Sequence, residues 1–308
     1  AASALAMHMK GFQQQDFDVW RIAARLVLHG ENPYRGIQDP LGRPSFFYPL
    51  TTPLLFIPAT WLPTTIAGPM FVGASCGLLA YVLTQYAWWP LLTFLSGSIY
   101  LSVVAGQLSP LLTAAMVIPQ LAWLGAVKPN IGLVILAHRP SWRVALIMAA
   151  LIAVTIPIMP SWPKEWLSIA AQSPYHFSAW RAPGGFLLLT SILRWRRPEA
   201  RLLAALAIVP SSPIAYEALP LFLIPRTRYQ LALLVLLSDV ALLMVAGLSS
   251  QLETASYFGT ARWSLTWLVY MPALAMVLSR PNEGDVPEWL ERRIARAPQW
   301  LRGRPLPV

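Results

Sequence analysis

Residues 44–127 contain no Asp, Glu, Lys, Arg or His. A charge-free run of 84 residues is too long for one helix, so it excludes a single buried core element and implies several apolar segments in lipid. Charge is scarce throughout, at 12% of residues against 56% apolar, a ratio that a soluble domain can hardly cover with polar surface. Cysteine is nearly absent. The lone Cys76 lies in an apolar segment, which excludes an internal disulfide and leaves the redox compartment open. There is no 20–50-residue repeat and no separate soluble domain. The internal pseudo-symmetry of paired, interrupted helices that marks many transporters is missing too.

What is present begins with charge of one sign. The net charge of +10 invites a nucleic-acid reading, but no aromatic-basic strip or nucleic-acid motif accompanies it. The arginines gather in short stretches instead: Arg139 and Arg143; Arg194, Arg196, Arg197 and Arg201; Arg226 and Arg228; and the tail from Arg280 to Arg304. Apolar segments separate these stretches, so the positive-inside rule reads them as cytoplasmic loops. Residues 10–48, 160–183 and 249–262 then fall outside, where two Trp/Tyr-rich loops can share one site. The 29 prolines, with Pro53, Pro58, Pro119 and Pro157 inside apolar stretches, predict broken or re-entrant helices. The opening AASALAM is too short to span and reads as the end of a helix that starts before Ala1.

The expected fold is therefore an all-α, polytopic transmembrane bundle of about nine or ten membrane segments. One membrane domain covers 1–279, with an external polar hairpin at 10–48, and a cytoplasmic tail with a short interfacial helix covers 280–308. In the hairpin, residues 16–29 predict an amphipathic helix lying on the membrane surface: Phe17, Trp20, Ala23, Ala24 and Val27 on one side, Asp18, Arg21, Arg25 and His29 on the other. Gly30 ends it, and Asn32-Pro33 signals a turn.

Several short motifs follow one another in order. Asp16 is followed by Trp20, then Gly30, Asn32, Pro33 and Tyr34; Phe47, Tyr48 and Pro49; Gly106 and Gln107; Lys128 and Pro129; and Ser212, Pro213, Tyr216 and Glu217. This ordered set, from residue 16 to about 225, resembles the polyprenol-phosphate-mannose-dependent mannosyltransferases of glycosyltransferase family 87, which have a GT-C type membrane fold. Leu50 stands where the family has a second proline, Ala218 where it has a histidine, and a leading transmembrane helix is absent from this sequence.

The resemblance implies transfer of a hexose, mannose in the family, from a polyprenyl-phosphate donor to a lipid or glycan acceptor on the external face of the plasma membrane, with inversion and without cofactor or metal. Asp16 matches the catalytic aspartate and would take the acceptor's proton; its plain alternative is a helix cap. The growing charge of the leaving phosphate needs cationic partners, for which Lys128, Arg181, Arg25 and Arg21 are candidates. Asn32, Tyr34, Tyr48 and Gln107 join them as substrate-binding positions. Lys128 can instead snorkel to an interface. Glu217 is either a site residue or a buried, hydrogen-bonded acid, and His176 either replaces the missing histidine or is an ordinary loop residue. Asp16-Phe17-Asp18 imitates a metal-binding DxD, yet on a helix positions two apart point to different sides, so no metal is expected. Asp239, inside an apolar segment, reads as a proton relay or as an acid paired with a neighbouring helix. The expected partners are the lipid-linked donor, the acceptor and membrane lipids, with no nucleic acid. The alternative reading is a non-catalytic subunit of a larger membrane complex built on the same fold.

Overall fold

The computed structural model describes residues 15–38, 45–172, 177–248 and 254–294. The opening AASALAM, Asp39, His176 and the end of the tail with Trp300 lie outside them. Among the described residues every named element is helical, and the one isolated β-bridge joins Phe177 to Ser211. Three stretches are long and apolar enough to cross a membrane: Thr64–Leu83, Arg228–Ala246 and Gly259–Leu278. Shorter apolar helices cover Pro129–His138, Trp142–Thr155 and Gly185–Arg194. Proline punctuates the rest as the sequence predicts: 3-10 turns at Ile57–Trp61, Trp89–Leu95 and Pro119–Val127 each carry a proline in their first two positions, where its missing N–H costs nothing.

The chain divides into two compact units, the first built from 1–82, 100–132 and 143–174, the second from 83–99, 133–142 and 175–308. The first unit is organised around α1 (Gln15–Leu28). Its expected apolar side is fully buried at Phe17, Trp20, Ala23 and Ala24. Trp20 stacks on Phe56 at 5.0 Å and meets Tyr48 edge-on at 5.3 Å, while Phe17 stacks on Phe71 at 5.4 Å. Burying each such ring contributes about 3 kcal/mol, so α1 is held by packing rather than by its own propensity. Arg21, expected on the polar side, is instead buried. Its Nε donates to Ala59 O at 3.1 Å, one terminal nitrogen to Leu62 O at 2.8 Å, and the other bonds Thr64 Oγ1. Packing of α1 against the 57–64 segment turns this side chain onto those acceptors instead of into water.

In the second unit, arginines from three of the stretches, 194–201, 226–228 and the start of the tail, are drawn together with the carbonyls of residues 137–138. Arg201 donates to Ala137 O, His138 O, Trp195 O and Arg196 O at 2.7–2.9 Å. Arg194 reaches Leu278 O and Arg280 O, Arg196 makes a two-pronged pair with Glu291, and buried Glu199 accepts from both Arg226 and Arg280. Burial alone would raise the Glu199 carboxyl, but the Arg226 hydrogen bond and the two guanidinium charges hold it below its ordinary range. Stretches far apart in sequence are thus tied together by guanidinium groups on backbone carbonyls. Arg201→Ala removes four such bonds and strands their acceptors, so it should cost about 2–4 kcal/mol; thermal unfolding of the detergent-solubilised chain would show it as a large fall in midpoint, with Arg201→Lys recovering only part.

Candidate functional site

The motifs of the first unit turn out to be corners of the fold. Gly30 (φ +74°) ends α1, and the next turn, α2 (Pro33–Gly36), is capped by Asn32, whose Oδ1 accepts from Tyr34 N at 2.9 Å. Asn32 Nδ2 also donates to Glu165 Oε2 at 2.7 Å, and Arg35 donates to Glu165 Oε1 at 2.8 Å. Glu165 belongs to the amphipathic helix Trp162–Gln172, whose Trp166 Nε1 donates to Phe47 O at 2.9 Å. The hairpin and the 160–172 segment therefore meet. Tyr34 is fully buried and its hydroxyl donates to Tyr48 O at 3.0 Å; burial first, and then the Glu165 charge, push its pKa up, so it stays a donor.

Asp16 lies in the first turn of α1. Its Oδ2 accepts from Nε2 of Gln107, a buried side chain 91 residues away. Gly106 places that glutamine. It closes the helix Gly97–Ala105 with φ +68°, a conformation costly for a residue with a Cβ, and Gln107 N then bonds Ser102 O at 2.8 Å. The amide oxygen of Gln107 is buried with no hydrogen-bond partner among the described residues. A donor arriving from outside the chain would satisfy it. Phe17, next to Asp16, lines an apolar cavity of about 320 Å³ together with Phe56, Phe71, Leu111 and Leu124.

Lys128 is also in the first unit and is buried. It follows the 3-10 turn Pro119–Val127, two of whose carbonyls are held from the Tyr48-Pro49 side: Thr51 Oγ1 donates to Ala126 O at 2.7 Å and Thr52 Oγ1 to Val127 O at 2.6 Å. The Tyr-Pro and Lys-Pro motifs are thereby fastened to each other. Arg25 is exposed on α1. The structure gathers Asp16, Arg21, Arg25, Asn32, Tyr34, Tyr48, Gln107 and Lys128 in the first unit.

Arg181 and Glu217 belong to the second unit. Arg181 is exposed and lies over the Trp180 ring, 5.4 Å from its centre. Glu217 is buried and accepts from Ser212 Oγ at 3.3 Å, with Tyr216 Oη 3.4 Å from the same hydroxyl; Ala218 beside it is buried too. His176 lies outside the described residues. Asp239 accepts from Gly97 N at 2.6 Å, so this acid within an apolar helix caps the start of another. Among the described residues no three His, Cys, Asp or Glu side chains gather as a metal set.

Sequence reasoning passed over Glu165, Trp166 and Arg35. Their signal, an acid between two tryptophans in an otherwise apolar chain, was visible in WPKEW. Burial by itself would raise the Glu165 carboxyl, but hydrogen bonds from Asn32, Arg35 and Ser161 outweigh it and hold the pKa below its ordinary value. A group depressed in the folded state adds stability above its unfolded pKa, roughly 4.3, and loses it as pH falls through the folded value. Thermal unfolding between pH 7 and 3 should therefore show an acid-side loss that Glu165→Gln flattens, at a cost near neutrality of about 1 kcal/mol, since Arg35 is largely solvated. Comparison with protein-family models, with curated proteins and with solved structures finds no match to this chain.

Proposed function

We propose that this chain is a multi-pass membrane glycosyltransferase of GT-C type, similar to family 87, that moves a hexose from a polyprenyl-phosphate donor to a hydroxyl of a lipid or glycan acceptor. The observation that carries the reading is the Asp16–Gln107 pair. A residue that only favours a helix start needs no side-chain partner 91 positions away, least of all one whose own buried amide oxygen has no partner among the described residues. In the proposed reaction the acceptor O–H gives its proton to Asp16 as its oxygen bonds the anomeric carbon; the bond from that carbon to the phosphate oxygen breaks, and the electron pair leaves on the polyprenyl phosphate. Gln107 holds the carboxylate at Oδ2 and so fixes the orientation in which Asp16 would meet the acceptor. Buried Lys128 supplies charge for the phosphate, and the apolar cavity beside Phe17 offers space for an apolar part of donor or acceptor.

The reading includes the finer membrane arrangement. Short apolar helices join the three long ones to make nine or ten membrane segments. The converged arginine stretches face the cytoplasm of the plasma membrane, and the hairpin with the 160–172 helix faces outward. A second reading is favoured by one feature: where the family has a histidine, this chain has the buried Ala218, which can neither bond a sugar hydroxyl nor move a proton. In that case the chain is an accessory subunit of a membrane complex.

Transfer in proteoliposomes, with radiolabelled polyprenyl-phosphate sugars and a crude lipid acceptor, separates the two. Asp16→Asn should lower wild-type transfer by about 10²–10⁴-fold at unchanged folding and insertion. Equal rates in both proteins would remove Asp16 from the chemistry. No transfer by the wild type from any donor, with partner proteins co-purifying in fixed ratio, would establish the subunit reading.

A further inference from the structure

The second unit contains a cavity of about 850 Å³ that none of the ordered motifs marks. One wall is the segment 177–185, and the fold fixes it at both ends. Phe177 exchanges backbone hydrogen bonds with Ser211 at 2.7 and 2.8 Å. At the other end Gly184 takes φ +76°, and a Cβ there would lie 2.6 Å from Trp267 Cζ2; a Cβ on Gly185 would lie 2.0 Å from Ala179 O. Trp267 Nε1 donates to Pro183 O at 3.1 Å, closing the clamp. Arg181 and Trp180 sit on this held segment and line the cavity, and Gly259, Arg262 and Trp263 of the helix Thr254–Leu265 line it as well. Among the described residues no atom lies within 4 Å of where a Cβ on Gly259 would be. The described lining residues include two arginines and no acid.

The position of Arg262 adds the second argument. It is the fourth residue of the membrane-crossing stretch Gly259–Leu278, which puts it at an end of that span. Trp263 beside it is 46% exposed, and tryptophan at the end of a membrane span is the residue type enriched at headgroup level. Guanidinium forks match phosphate oxygens in pairs, and lipid phosphates lie at that depth. We propose that this cavity binds the phosphate headgroup of an anionic membrane phospholipid, between Arg181 and Arg262, with the indole faces of Trp180 and Trp263 against the glycerol and upper acyl chain. The proposal does not involve the Asp16–Gln107 pair and stands whether or not the chain transfers sugar.

Native mass spectrometry of the delipidated full chain in detergent tests it, with phosphatidylglycerol, diacylglycerol and inorganic phosphate added in separate titrations. Phosphatidylglycerol should bind saturably and diacylglycerol should not. Arg262→Gln should weaken phosphatidylglycerol about tenfold or more, the loss of one charge-assisted contact, and Arg262→Lys should restore part of it. Arg181 is exposed, so Arg181→Gln leaves the packing intact and should weaken binding by a similar factor, which keeps the test sound if the Arg262 variants fold poorly. Equal binding of phosphatidylglycerol by wild type and Arg181→Gln would overturn the proposal, as would equal binding of diacylglycerol. Occupation of the site by inorganic phosphate at lower concentration than the lipid would overturn the lipid assignment and leave a site for soluble phosphate compounds.

Discussion

Carbonyl oxygens freed at the ends of short, proline-broken helices must find donors, because lipid supplies none. This chain meets the requirement with side chains. Arg21 serves the carbonyls of Ala59 and Leu62, Thr51 and Thr52 those of Ala126 and Val127, Arg201 four at once, Arg280 that of Ile224, and Trp166 and Trp267 one each. An arginine suits the task better than a lysine, since its planar fork reaches several acceptors and never loses its proton. The same demand accounts for Asp239, which answers the complementary problem of an orphan N–H at Gly97.

That demand changes how the sequence must be read. A positive stretch near a membrane is ordinarily a solvated loop, and the stretches at 139–143, 194–201, 226–228 and 280 onward read as such in the sequence. Their contacts were not legible. Only the folded chain shows that the guanidinium groups of 194–201 grip the carbonyls of 137–138 and of 278–284, which makes these loops struts as much as topology markers. The amphipathic reading of 16–29 placed Phe17, Trp20, Ala23 and Ala24 correctly, with Val27 half-buried at the end of the stripe, because helical periodicity exposes a stripe. It misplaced Arg21, because periodicity does not report how closely the next segment approaches.

The candidate site was legible to the same degree. Residue spacing marks Gly30, Asn32, Pro33 and Tyr34 as a turn, and Gly106 as a break, since these residue types have few other uses. What spacing cannot give is the distant half of each contact: Glu165 for Asn32, Gln107 for Asp16, the 126–127 carbonyls for Thr51 and Thr52. The cavity with Arg181 and Arg262 was wholly invisible, for its two arginines are 81 positions apart and belong to no shared motif.

Against this background the Asp16–Gln107 contact belongs to a smaller set, with Glu199–Arg226 and Ser212–Glu217, in which side chain meets side chain. Most of the buried polar contacts in this chain join a side chain to backbone, and each relieves a helix end or turn that would otherwise be unsatisfied. Asp16–Gln107 joins two side chains, and the amide that holds the carboxylate carries its own unmet acceptor. Apolar residues at both positions would remove the need for the pair altogether, and a core selected for stability alone tends toward that solution. A third group that donates to the Gln107 amide oxygen would complete the pair, and the acceptor hydroxyl of the proposed reaction is a group of that kind.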